Sequence, residues 1–391
     1  MRKTLLLALV INSVTALLTS LAGAQDRQSL QYRSAREAAR TIYRVPSKYL
    51  SPTEKPPQGV ELPKFECSTP LFVRWLTPIV KDAGLWIALD RSGTSEVYDL
   101  LFIDSNGDGN LKDETAVIAY KAEAKHAYFG PAKVIFEGKD GPIAYHLNFR
   151  LCDHGRRILW ATPGGWYEGI ITVGGKEKHC VLIDYNVNGT FDDKSINASE
   201  CDRIQIGEKD DKDARFVGNY IEIEGSLYQL EIAREGAYVK LAAAEDVTFG
   251  NIRLPESITE FAAGGENGLF VLKPKKGIGS LPVGQYCIDH WAIERKDDTG
   301  SNWKLQGSGF SENGRFNVTE TQETKLSIGE PIISTVEARH RNRNHSFSQK
   351  LKGKLNESIY ITLNGNRAPL PKLRIKSKDG RYNQTFDFKY G

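Results

Sequence analysis

The amino-acid sequence predicts a mainly β protein: a duplicated antiparallel β region with a repeat of about 80 residues, then a C-terminal β-sandwich, with one short N-terminal helix. Three observations carry this reading. Glycine is abundant, at 36 of 391 residues, and apolar residues alternate with polar ones in short runs bounded by turn formers. A glycine, a tryptophan and an Asp/Asn-rich loop recur at one fixed spacing. The last third alternates cleanly to the C-terminus.

The first element is a leader. Met1-Arg2-Lys3 precedes an apolar run from Leu5 to Leu21, and Ala22-Gly23-Ala24 supplies small residues for a cut before Gln25. Asn12, Ser13, Thr15 and Ser20 interrupt the run, so residues 1–24 read as a secretory signal peptide and not as a bilayer anchor. The expected location is secreted or periplasmic, with no transmembrane segment after cleavage. Without Arg2 and Lys3, 50 basic residues face 49 acidic ones. Such balance gives no general attraction to nucleic acid or to an acidic membrane surface.

Residues 25–63 read as a short helix and a linker. Ala35, Ala38, Ala39 and Ile42 share one side of a helix over 34–45. Pro52, Pro56 and Pro57 then mark an extended connector over 46–63.

Residues 64–155 and 156–246 form the two repeat copies. An offset of 80 aligns Gly84 with Gly164, Trp86 with Trp166, Ile103 with Ile183 and Asp104 with Asp184. The same offset aligns Asn106 with Asn186, Gly109 with Gly189 and Asp113 with Asp193. Each copy reads as a tryptophan-bearing strand, a strand that ends at the Asp loop, and returning strands. Residues 247–391 complete the chain. There the turn Asp297-Asp298-Thr299-Gly300 separates two strands, and Leu373 and Ile375 alternate with Arg374 and Lys376.

The loops carry the most specific chemistry. In the first, Asp104, Asn106 and Asp108 place side-chain oxygens at positions one, three and five. Gly109 at six permits a sharp reversal, Asn110 at seven offers its carbonyl, and Leu111 at eight is apolar and would pin the loop to the core. Asp113 and Glu114 are candidates for the closing carboxylate. The second loop offers Asp184, Asn186, Asn188, Thr190, Asp192 and Asp193, with Asn188 replacing an acid and so lowering the charge. Six to eight oxygens at about 2.3–2.6 Å suit calcium, whereas an ordinary hairpin turn needs only one Asn-Gly or Asp-Gly pair.

These residues resemble the calcium loops of EF-hand and dockerin proteins of the DxNxDG type, over the loop alone. The resemblance implies structural calcium. Position twelve is Thr115 in place of the bidentate Glu, and a strand precedes the loop instead of a helix. A second resemblance is carried by Leu281-Pro282-Val283-Gly284-Gln285-Tyr286, similar to the opening of a strand in prealbumin-like bacterial modules.

Other features are weighed against plainer readings. Cys180 and Cys201 flank the second loop, where a bridge would staple a hairpin; the odd count of five cysteines leaves at least one free or paired between chains. Trp86 and Trp166 would suit stacking on sugars in a carbohydrate-binding protein or a glycan-active hydrolase, although repeated strand aromatics are more often core. Arg339, Arg341 and Arg343, with Lys350, Lys352 and Lys354, alternate on what read as adjacent strands, a patch for a polysaccharide or another extracellular polyanion. Cys152-Asp153-His154 lacks the partners of a thiol protease, and no G-x-S-x-G or H-E-x-x-H motif occurs. The functional expectation is an exported non-catalytic protein with a binding or scaffolding role. Mass spectrometry of the exported chain is expected to place its N-terminus at Gln25; a retained leader would overturn that assignment.

Overall fold

The computed structural model describes residues 27–36, 46–80, 83–93, 95–138, 141–209, 211, 213–342 and 344–389. The leader lies outside these residues. The structure is mainly β, and the single helix among the described residues is one 3-10 turn, Glu312–Gly314. No helix of the described residues is long and apolar enough to cross a membrane.

The chain divides into two compact units, the first comprising residues up to 195 together with 199–244. This unit holds four antiparallel sheets, built mostly by strands that pair with their neighbours in sequence. One runs Leu71–Trp75, Leu85–Asp90, Leu100–Ile103, Val117–Ile118. A second runs Lys48–Leu50, Arg157–Pro163, Gly141–Asp153, His126–Gly138, Lys121–Glu123. The third runs Arg215–Phe216, Arg203–Gly207, Lys176–Ile183, Gly165–Val173, Gln31–Ser34, and the fourth Gln28–Ser29, Tyr238–Ala243, Ser226–Ile232, Tyr220–Ile223.

Three of these sheets thus take an edge strand from the N-terminal segment, which differs from the helix-and-linker expectation. Ser34 ends a strand, with Trp166 paired to Arg33; residues 37–45 of the expected helix lie outside the described residues. The proline-rich stretch is not a free connector. Lys48–Leu50 pairs with Leu159, Trp160 and Ala161, Thr53 bridges Phe72, and Glu61 bridges Asn110 in the first Asp loop. Proline supplies no backbone donor, so contacts fall on the residues between prolines.

One continuous apolar cluster fills this unit, drawing on all four sheets from Leu30 to Val239. At its heart Trp75 stacks on Tyr145 with ring centroids 5.7 Å apart and planes 7° from parallel. Phe136 and Phe191 close around the pair.

The second unit holds residues 196–198 and 245–391. A three-stranded sheet joins Ile278–Pro282, Phe249–Arg253 and Thr324–Lys325. A larger sheet runs Gly268–Leu272, Glu260–Gly265, Gly284–Lys296, Asn302–Ser308, Ser358–Leu363, Asn344–Lys352, Ile333–Arg341. Arg315–Val318 and Asn366–Arg367 pair alongside it, and Lys372–Lys376 with Asn383–Asp387 forms a terminal hairpin. The hairpin across Asp297–Gly300 and the alternation at Leu373 and Ile375 therefore form as expected. Tyr286, from the Leu281–Tyr286 hexapeptide, is fully buried and donates its hydroxyl to the Pro282 carbonyl at 2.8 Å.

Trp291 is wholly buried, and its indole N–H donates to the equally buried Glu357 at 2.9 Å. Gly307 lies opposite Trp291 on the neighbouring strand. A Cβ there would stand 2.3 Å from the indole, a position a rigid ring cannot vacate cheaply. Gly307→Ala is expected to lower stability by about 1–3 kcal/mol, the usual cost of overpacking, as measured by chemical denaturation.

Candidate metal centre

The first loop leaves the strand Leu100–Ile103 at Asp104, which is buried. Its carboxylate accepts the Gly107 N–H at 2.8 Å and the Gly109 N–H at 3.1 Å. Asn106 Oδ1 accepts from the Asp108 N–H, Asp108 Oδ1 from Asn110, and Asn110 Oδ1 from Lys112. This ladder of Asx turns explains the spacing: the side chains at positions three, five and seven each hold the backbone two residues ahead, while Asp104 at position one reaches the two glycines further on. A carboxylate or amide oxygen that accepts one N–H keeps a second lone pair, so the ladder orients ligands without consuming them. Gly107 and Gly109 adopt φ of 76° and 78°, which glycine alone adopts without strain. Leu111 is fully buried with Phe72 and Ala88, as its apolar character predicted.

Glu114 folds back over this loop. Its carboxylate accepts the Ser105 N–H at 2.5 Å and the Ser105 hydroxyl at 3.0 Å. Burial, then the charges of Asp104 and Asp113, push the Glu114 carboxyl above its ordinary range. Burial likewise raises Asp104, with Asp108 adding to it. Asp113 itself is exposed, so of the two candidates for the closing carboxylate, Glu114 turns inward.

The second loop leaves the strand Lys176–Ile183 at Asp184, which has no exposed surface. Asp184 accepts the Gly189 N–H at 2.6 Å, the Asn188 N–H at 3.2 Å and the Tyr145 hydroxyl at 2.8 Å. Val187 and Gly189 have φ of 55° and 94°, so positions four and six are left-handed here as in the first loop. For a β-branched residue that conformation is strained. Val187 is held in it by burial and by the Trp75 indole, which donates to its carbonyl at 2.8 Å. At position eight Phe191 packs edge-on against Tyr145 and Tyr167.

Asp193 Oδ2 gathers three donors: Asn186 Nδ2 at 3.1 Å, Asn188 Nδ2 at 2.9 Å and Thr190 Oγ1 at 2.6 Å. Asn186 Oδ1 is buried without a hydrogen-bond partner. Asp192 is half-buried, its carboxyl raised by burial and then by Asp193. A residue that the loop pattern does not contain completes the group. Asp202 is fully buried and accepts the Tyr185 N–H at 2.8 Å and the Asp193 N–H at 3.0 Å. Burial, then the charges of Asp184 and Asp193, push its carboxyl well up. Asp202 thus does for the second loop what Glu114 does for the first: each receives the N–H of the residue after the leading Asp. The charge missing at Asn188 is returned from nine residues beyond Asp193.

Among the described residues no group of three or more His, Cys, Asp and Glu side chains is already arranged to hold a metal ion. The loops instead mix carboxylates with amide, hydroxyl and backbone oxygens, the donor set of a hard cation.

The remaining sequence candidates disperse. Trp166 is 6% exposed, and Trp86 is partly buried against Phe72, Ala88 and Leu111, so both rings are engaged by the core. Cys180 and Cys201 are not bridged: both are free and buried, and Cys201 Sγ donates to the Val217 carbonyl. Burial pushes their thiols up to about 12 and about 11. In the basic hairpin Arg339 faces Ser346 and Arg341 faces Asn344, while Lys350 faces Thr335 and Lys352 faces Ile333. The arginines sit near the hairpin tip and the lysines near its base, so these arginines and lysines do not face one another across the two strands. Lys350 is paired with Glu337 at 2.6 Å, Lys354 lies in the following turn, and Arg343 lies outside the described residues.

No family model matches the chain, and neither the curated proteins nor the solved structures contain a match to it.

Tyr145→Phe removes one of three donors to the buried Asp184 without changing the stack on Trp75. It is expected to cost about 1.5–3 kcal/mol, the range for a hydrogen bond to a charged group, read by urea denaturation.

Proposed function

We propose that this is an exported, non-catalytic β protein whose two Asp loops bind calcium as structural ions, serving a binding or scaffolding role outside the cytoplasm. One observation carries the reading. In each loop the leading Asp is met by a second carboxylate, Glu114 or Asp202, that accepts the very next backbone N–H. Acids drawn together out of water repel one another, and a divalent cation is the natural compensation. The left-handed positions four and six, common to both loops, also support a duplicated origin for the two halves of the first unit. With Asp202 the second loop has four buried or half-buried acids, Asp184, Asp192, Asp193 and Asp202, so both loops bind.

Calcium titration of the mature chain is expected to raise its melting temperature and chelation to lower it. At a hundredfold excess over the dissociation constant, each site adds about 2.7 kcal/mol. Asp104→Ala removes the contribution of the first loop. Asp202→Asn tests the second loop. It relieves repulsion but leaves one of the Tyr185 and Asp193 N–H groups without an acceptor, so its signature is a smaller rise in melting temperature from chelator to calcium than the unaltered protein shows. A melting temperature indifferent to both calcium and chelator would overturn the proposal.

A further inference from the structure

A different kind of donor set lies at one end of the sheet that contains His126–Gly138 and Gly141–Asp153. Two turns sit side by side there. One, at Ala124 and Lys125, joins Lys121–Glu123 to His126–Gly138; the other, over 154–156, joins Gly141–Asp153 to Arg157–Pro163. The Asp153 N–H donates to the Lys125 carbonyl at 2.8 Å and ties them together. Cross-strand register sets Cys152 directly opposite His126, so both side chains leave the same face. His154 follows Cys152 by two residues.

The two imidazoles meet across this tie. Nε2 of His154 lies 2.9 Å from Nε2 of His126, with ring centroids 4.7 Å apart and planes at 64°. An N–H···N contact requires one of the two rings to be neutral, with a bare lone pair aimed at the other. Nδ1 of His126 is buried and has no hydrogen-bond partner, so Nε2 is the one nitrogen through which that ring meets a polar group. His154 is exposed and Cys152 is a free, half-buried thiol.

We propose that His126 and His154 form a clip for a zinc-like divalent transition metal, with the Cys152 thiolate as third protein ligand. Two metal–nitrogen bonds of about 2.0–2.1 Å at a tetrahedral angle hold their nitrogens roughly 3.3 Å apart. The observed 2.9 Å therefore needs to open by only a few tenths of an ångström. The described residues hold no ready-made group of three ligands, so binding requires the Cys152 side chain, on the strand position opposite His126, to turn toward the imidazoles. Imidazole and thiolate select a borderline cation, whereas the all-oxygen loops select a hard one. The two kinds of site therefore do not compete. Binding displaces any proton on either Nε2 and the thiol proton to solvent.

Cobalt(II) is the probe, titrated into the reduced mature chain with calcium in excess. The expected result is one tightly held cobalt per chain, with visible d–d bands of tetrahedral geometry and a near-ultraviolet thiolate-to-cobalt band. Zinc should displace it. His126→Asn and His154→Asn each weaken binding by about tenfold or more, while Cys152→Ser abolishes the near-ultraviolet band. His154 is exposed, and an unchanged melting temperature of the metal-free variants confirms that folding is unaffected. The pair His340 and His345, opposed on another hairpin with ring centroids 4.8 Å apart, is the internal control. Three results would overturn the proposal: no stoichiometric cobalt, binding that survives the double substitution of His126 and His154, or binding lost only with His340→Asn and His345→Asn. A histidine-dependent complex without the near-ultraviolet band would overturn the role of Cys152.

Discussion

The face-to-face stack of Trp75 on Tyr145 is the constraint on which the first unit turns. Both rings are fully enclosed by apolar neighbours, yet each carries a polar end that must be satisfied. Both polar ends reach the second Asp loop, the indole N–H at the Val187 carbonyl and the phenol at Asp184. The stack thereby couples the centre of the apolar cluster to a charged loop. It also holds Val187 in a conformation a branched side chain does not choose on its own. Burial of the aromatic pair and placement of the carboxylate are one event, not two.

The two loops reach the same chemistry by unequal routes. In the first, a closing acid lies within the turn sequence and the loop is covered from outside by the Glu61 segment, whose carbonyl and N–H bracket Leu111 and Gly109. In the second, the closing acid arrives from a distant residue, and the loop is covered from inside by aromatic rings. The first loop therefore exposes Asn106 and Asp108 to water, while the second buries its leading acid completely. Water screens charge in the first and is excluded from the second, so the same formal charge weighs more heavily there.

Much of this was legible in the sequence, for reasons of range. Turn chemistry acts over two or three residues, so the Asx ladder and the burial of Leu111 could be read directly from spacing. Long alternating strands such as those on either side of Asp297–Gly300 were equally plain. Asp202 was not, because nothing in its neighbours marks it; it joins the loop only when the strand Arg203–Gly207 pairs with Lys176–Ile183. The N-terminal strands have two to four residues each, too few for a period to show, and the alanines nearby suggested helix instead. The register of the basic hairpin was not legible either, because it depends on where the turn falls: with the turn after Arg341, Asn344 and not a lysine stands opposite that residue.

The same hairpin explains how the larger sheet of the second unit ends. Ile333–Arg341 is its terminal strand, hydrogen-bonded on one side and exposed along nearly its whole length, with Ile333 and Val336 each 52% exposed. An open edge with bare apolar side chains invites another chain to add itself as the next strand. Glu337, Arg339 and Arg341 punctuate that edge, and any strand docking there must strip them of water. Their value lies less in what they attract than in what they turn away: a charged edge is a poor template for the next strand.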